Sequence, residues 1–248
     1  MSANENGGGN PKLLRALEIF GNVFALNIMF IVFSLPVITF GASMTALYSV
    51  TLKMARKEEG TIGKSFLESF KKNFKKATQV WLVLIGIFFI LFVEYLLIIN
   101  VEGAISSFYL VVIIVELVVL AFALPFLFPL VARYENTLWN YFKNAFLLSV
   151  SNFGSWLKIM VAWGLPIFLS LWYPVLFFST WYLWILLLIA LIAYGTSFTM
   201  RKVFDRIVLV QESEKVRKEE EKAKKEYESK KRLADHIRRT SDIEKKEE

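Results

Sequence analysis

Two carboxylates stand where charge is expensive. Glu94 lies within the apolar run Gln79–Ile99, and Glu116 lies near the middle of Ser106–Leu130. A charged carboxylate facing lipid costs at least ~2.5–3.5 kcal/mol. Each is therefore expected to face protein or water, or to carry a proton. Such a group can hold an ion, a proton or a cationic ligand. The plainer role is a protonated acid hydrogen-bonded to a neighbouring helix. No Lys or Arg in a span is expected to pair with either one.

Other chemistry is poorly served. The chain has no cysteine, which excludes disulfides, thiolate metal sites and thiol nucleophiles. The single histidine, His236, sits in a highly charged tail and cannot build a histidine-rich metal site. Gly60-Thr61-Ile62-Gly63-Lys64-Ser65 looks like the end of a phosphate-binding loop. However, Glu58 stands where that motif needs Gly, and no strand precedes it. G-x-S-x-G, H-E-x-x-H, calcium-loop spacing and the coupling motif of ABC permeases are all missing. The sequence thus points away from an enzyme, and no cofactor, metal or nucleic-acid partner is expected.

The elements that must position Glu94 and Glu116 are membrane helices. The 248 residues are 56% hydrophobic and 16% aromatic, against about 45–50% apolar in soluble domains even with Gly counted. The excess is gathered into runs of the ~20 residues a spanning helix needs. Gln79–Ile99, Ser106–Leu130, Ser155–Phe178 and Trp181–Met200 qualify, with an uncharged turn at Ser179–Thr180. A fifth run extends from near Leu17 to Leu35. Lipid offers the backbone no hydrogen bonds, so each must be helical. Val37–Met54 is apolar but rich in small and hydroxyl residues, which suit a helix packed against other helices. It is expected either to cross once more or to lie in the interface.

Charge position sets the orientation. Lys53 to Thr78 holds eight Lys/Arg and is expected to be cytoplasmic, whereas Asn100–Ile105 has none and should lie outside. Arg133, Lys143 and Lys158, and later Arg201 and Lys202, return the chain to the inside. Lys12 and Arg15 also prefer that side. Six crossings with both termini cytoplasmic are favoured, in the cell membrane. Five crossings with the N-terminus outside is the alternative. Within the basic segment, Phe66, Phe70 and Phe74 share a helical face, and Lys71, Lys72 and Lys75 lie on or near the other. That pattern suits a helix resting on an anionic cytoplasmic leaflet.

The fold class is therefore an all-α membrane bundle. It has a Gly/Asn-rich leader over residues 1–12 that is expected to be unstructured, a membrane domain over 13–210, and a charged cytoplasmic helix over 211–248. The tail places Glu four residues before Lys repeatedly, as at Glu214/Lys218 and Glu220/Lys224.

Two segments between spans look alike. Ala55-Arg56-Lys57-Glu58 is followed by Thr61, Phe66, Phe70 and then Trp81. Ala132-Arg133-Tyr134-Glu135 is followed by Thr137, Phe142, Phe146 and then Trp156. Both read as helix, amphipathic segment, helix. Repeats of this kind are common in transporters.

The second segment carries a resemblance. Arg133-Tyr134-Glu135-Asn136-Thr137 with downstream Lys143-Asn144, set beside Arg56 and Glu58 of the first, resembles the YesL family of bacterial membrane proteins, a domain of unknown function. The resemblance covers roughly residues 13–206. It implies an accessory role in sugar uptake beside a carbohydrate ABC transporter, with permease or ATPase subunits as partners. It supplies no catalytic residues. A transporter or channel in its own right, using Glu94 and Glu116, is the competing expectation. The sequence does not speak to oligomeric state.

Overall fold

The computed structural model describes residues 10–58 and 60–247. Most of the expected leader, and the His236 side chain, lie outside the described residues. The leader ends earlier than its composition suggests. The Asn10 side chain accepts from the Lys12 backbone N–H at 3.0 Å, and Pro11 opens the first helix. An Asn cap followed by Pro, whose missing N–H would be unpaired there anyway, is a strong helix start.

Helices are the only regular elements among the described residues. α1 spans Pro11–Ser34 and stops before Pro36, which cannot continue it. A short 3-10 turn, Val37–Thr39, follows, and the Thr39 hydroxyl donates to Phe33 O at 2.6 Å. α2 (Phe40–Arg56) and α3 (Ile62–Asn100) form an antiparallel hairpin. α4 (Ala104–Arg133) carries Pro125 and Pro129, and α5 (Leu138–Ser151) and α6 (Phe153–Trp172) come next. α7 (Pro174–Leu183) leads through a π-helical turn, Trp184–Leu188, into α8 (Ile189–Glu247).

Five helical stretches are long and apolar enough to cross a membrane: Pro11–Ser34, Ile62–Asn100, Ala104–Arg133, Phe153–Trp172 and Phe177–Lys222. The chain is thus an all-α polytopic bundle. α2 is not among the five. Its 17 residues make about 25 Å of helix, less than the ~30 Å hydrocarbon core. Gly41, Ala42, Ser43, Thr45, Ala46 and Thr51 are all buried, so its small and hydroxyl residues meet protein, not lipid. At Gly41 the approach is closest: a Cβ there would stand 2.5 Å from Trp81 Cβ and 2.6 Å from Ala77 O of α3. Only glycine permits that contact.

α3, at 39 residues or about 58 Å, is nearly twice the length a crossing needs. Its first half lies along α2. Its second half carries Leu82, Phe89, Ile90, Phe92 and Ile99, all exposed. α4 divides the same way. Ile105–Val119 contributes a run of exposed apolar side chains, while Phe126, Leu127 and Leu130 are buried. Apolar surface on this scale fits a multi-pass membrane protein.

One expected turn is displaced. The chain breaks at Tyr173–Pro174, not at Ser179–Thr180, which lie inside α7. Proline disfavours helical geometry at the residue before it, and Tyr173 sits at φ −118°, ψ 83°. The last span is also irregular. Asn27 of α1 donates to Trp184 O at 3.0 Å and Ile185 O at 2.5 Å, and accepts from Ala190 N at 2.7 Å. This buried amide serves backbone groups around the π-helical turn.

The chain divides into two compact units, Met1–Arg201 and Lys202–Glu248. The second is helical through Glu247, with an Arg217–Glu221 pair one turn apart at 4.0 Å.

Candidate functional site

The two A-R-x-E segments occupy equivalent places. Each ends a helix, α2 or α4, and each is followed by a threonine at the N-cap of the next, Thr61 before α3 and Thr137 before α5. The Thr137 side chain accepts from Asn140 N at 3.4 Å. The repeat read from the sequence is therefore also a repeat of local structure.

The structure brings the two copies together at their basic ends. Lys53, Arg56 and Glu58 from the α2 end meet Ala132 and Arg133 from the α4 end around a pocket of about 260 Å³, completed by Ser49 and Leu52. Lys72 of α3 pairs with Glu135 at 3.9 Å across the copies, on the surface. The α2 terminus is closed by other donors. Lys57 takes the left-handed conformation (φ 60°), its N–H bonds Met54 O, and Glu58 N bonds Lys53 O. Arg201 Nη1 donates to Ala55 O at 2.5 Å.

The second copy is latched by a residue the motif reading passed over. The Tyr141 hydroxyl donates to Tyr134 O at 2.8 Å and accepts from Asn136 N at 3.1 Å. It thereby holds both sides of Glu135. Tyr141 is 1% exposed. Burial raises its phenol pKa above the ordinary 10.0; the Asn136 N–H opposes this, and the Glu135 charge adds to it. The signal was present, since Tyr141 stands four residues after the capping Thr137, on the inner face of α5. Arg133 lies over the Tyr134 ring, 5.6 Å from its centroid. Lys143 is exposed and Asn144 half-buried, and neither lines the pocket.

Above the basic pocket lies a larger apolar cavity, about 390 Å³, between α2, α3, α4 and α6. Met44, Tyr48, Trp81, Leu124, Phe128 and Trp163 form much of its wall. Trp163 Nε1 donates to the Tyr48 hydroxyl at 3.1 Å. Phe88 and Ile167, both exposed, stand at its rim.

Glu94 lies on α3 and Glu116 on α4, two helices that pack against each other. One oxygen of each, Oε2, is buried without a hydrogen-bond partner. The hydrogen bond to a neighbouring helix that one reading gave them does not reach these oxygens. Nothing joins the pair to the basic pocket. The expected lipid-facing stripe is split. Phe66 is fully buried with its ring 5.6 Å from that of Phe33, Phe70 is half-buried, and Phe74 is exposed. Phe33, at the end of α1, covers the face the sequence assigned to the headgroups. Lys71, Lys72 and Lys75 are exposed as expected.

Residues 23–95 match the family model described as a protein of unknown function, DUF624. The match takes in the second half of α1, all of α2 and most of α3, and so the first copy of the repeat. No curated protein and no solved structure matches the chain.

Proposed function

We propose that this chain is a non-enzymatic accessory protein of the bacterial cell membrane, working beside a carbohydrate ABC transporter in its assembly, stability or regulation. The observation that carries the reading is the Arg133–Asn144 segment, whose likeness to the YesL family implies that setting. The Tyr141 latch gives that segment a defined shape, and its first-copy counterpart falls within residues 23–95, matched by the family model. The charged helix of the second unit offers a surface for a permease or ATPase subunit. In this reading the basic segments after α2 and α4 face the cytoplasm by the positive-inside rule. Both termini are then cytoplasmic, the side that Lys12, Arg15, Arg201 and Lys202 prefer. The test is to purify the tagged chain from its native membrane in mild detergent and identify co-purifying proteins. Stoichiometric sugar-transporter subunits support the reading, and truncation at Gln211 should release them. Recovery of the chain alone, from membranes rich in those transporters, would sink it.

A second reading rests on one observation: Glu94 and Glu116, on the packed helices α3 and α4, each carry a buried oxygen without a hydrogen-bond partner. That arrangement suits a proton or cation site in an independent transporter or channel. Reconstituted transport that survives Glu94→Gln and Glu116→Gln unchanged would remove it.

A further inference from the structure

The apolar cavity continues along α6. It shares Met160 and Gly164 with one surface groove, lined also by Val161, Leu165 and Phe168. It shares Ile167 with a second groove, which runs on past Leu171. Gly164 keeps the junction open, since a Cβ there would meet nothing within 4 Å. Leu165, Phe168 and Leu171 are exposed beside it, on a helix long and apolar enough to cross a membrane. The cavity and its grooves thus form one apolar trough that opens on the face the exposed side chains share. From Met160 to Leu171 is eleven residues, about 16 Å of helix. A single leaflet's acyl layer is about 15 Å deep, half of the hydrocarbon core.

We infer that this trough holds one acyl chain of a membrane phospholipid, with part of the chain inside the cavity. The wall decides the chemistry. Its indole N–H and hydroxyl groups are already bonded within the protein. Trp163 Nε1 donates to the Tyr48 hydroxyl at 3.1 Å, and Trp81 Nε1 donates to Val37 O at 2.7 Å. The Tyr48 hydroxyl also bonds the Thr196 side chain. In the adjoining groove, Ser170 donates to Pro166 O at 2.8 Å. A polar or charged ligand would give up its hydration here and gain no partner, a cost that an alkyl chain does not carry. Left empty, the same wall would forfeit dispersion contacts on one side. The size decides the occupant. One turn of helix, about 10 Å across and 5.4 Å tall, would take up roughly 400 Å³. The cavity, at about 390 Å³, therefore has no room for a packed helix of a second copy, whereas a flexible chain can follow the bend at Gly164. Phe88 and Ile167, exposed at the rim, give that chain a way in from the lipid-facing side. This inference stands apart from any transporter partner.

The experiment reconstitutes the full chain into phosphatidylcholine vesicles doped with a phosphatidylcholine that carries a diazirine on one acyl chain. After irradiation, the adducts are mapped by mass spectrometry. They are expected on Met44, Phe128 and Trp163 within the cavity, as well as on Phe89 and Phe92, which are exposed on α3 and line none of the trough. Gly164→Leu places a side chain at the junction without a clash at its root. It should lower labelling within the cavity about fivefold while labelling of Phe89 and Phe92 holds. Should that variant fail to elute as the native chain does, Met160→Trp narrows the same junction and carries the same expectation. Phosphatidylglycerol bearing the same diazirine should label the cavity equally, because no cation lines its wall. Labelling confined to exposed residues overturns the proposal. So does cavity labelling that both variants leave unchanged, or that depends on the headgroup. A cavity shielded from label in a self-associated chain, with the shielding lost in Gly164→Leu, would assign the trough to a second copy and overturn it too.

Discussion

The two copies of the repeat solve one packing problem with different backbones. In the first, the amphipathic segment and the span are a single helix, α3. In the second they are α5 and α6, broken at Asn152 (φ −126°, ψ 49°). The local sequence accounts for the difference. Ser151-Asn152-Phe153-Gly154 is poor in helix formers, whereas Lys75-Lys76-Ala77-Thr78 is better supplied. Yet the tryptophan that opens each span is used in the same way. Trp81 Nε1 donates to Val37 O at 2.7 Å, and Trp156 Nε1 to Ala121 O at 2.9 Å. Each ring also lies against a phenylalanine: Phe40 at 4.6 Å and Phe122 at 4.4 Å between centroids. The side-chain contact at the start of the span is thus kept, while helix continuity is not.

The copies differ most in how they are closed, and variants can break that contrast. The largest effect should come from Gly41, where the first copy is pressed together. Gly41→Ala is expected to cost about 1–3 kcal/mol, as overpacking does, and should lower the thermal midpoint of the detergent-solubilised chain. An unchanged midpoint would mean that α2 and α3 can separate freely. The second copy has no such glycine. There α4 and α5 are joined instead by Ser149, which donates to Phe122 O.

Next comes the latch of the second copy. Tyr141→Phe removes two hydrogen bonds and should cost roughly 1–2 kcal/mol. Its pH dependence has a definite sign. The folded phenol pKa is raised above 10.0, so the unfolded chain ionises first. The contribution of Tyr141 is therefore present below pH 10 and lost above it. The native chain should lose stability with rising pH in that range more steeply than Tyr141→Phe. Equal slopes would show that the phenol is not held as the structure has it.

Trp81→Phe and Trp156→Phe should each cost about 0.5–1.5 kcal/mol, and the two losses should match, because each removes one bond of the same kind. Unequal losses would break the analogy between the copies. The smallest effect is expected at the break itself. Asn152→Ala should stay within about 0.5 kcal/mol, since the Asn152 backbone carbonyl already receives Ser155 N and Trp156 N to restart the helix. A larger loss would assign the break to the Asn152 amide, which donates to Leu148 O at 3.1 Å.

Much of the fold was legible in residue order. Runs of ~20 apolar residues set helices in α1, α3, α4, α6 and α8, because lipid leaves the backbone no other way to satisfy its hydrogen bonds. Both copies of the repeat, with Trp81 and Trp156 at their spans, were legible from spacing. Less legible were the ends. Pro174, not the uncharged Ser179–Thr180, makes the last turn, and α2 stays short of the five helices that can cross. In a chain this apolar, hydropathy alone does not separate a lipid-facing helix from one surrounded by protein.

By itself the sequence determined the class of the molecule, the places of its basic segments and the two acids within apolar runs, since each follows from composition along the chain. Only the tertiary structure decided that Phe66 is covered by Phe33, that Tyr141 holds the loop around Glu135, and that Arg56 and Arg133 line one pocket beneath an apolar cavity. These are contacts between residues far apart in the chain or across a loop. They depend on how closely helices approach one another, a distance set by packing at positions such as Gly41 and not by any periodicity.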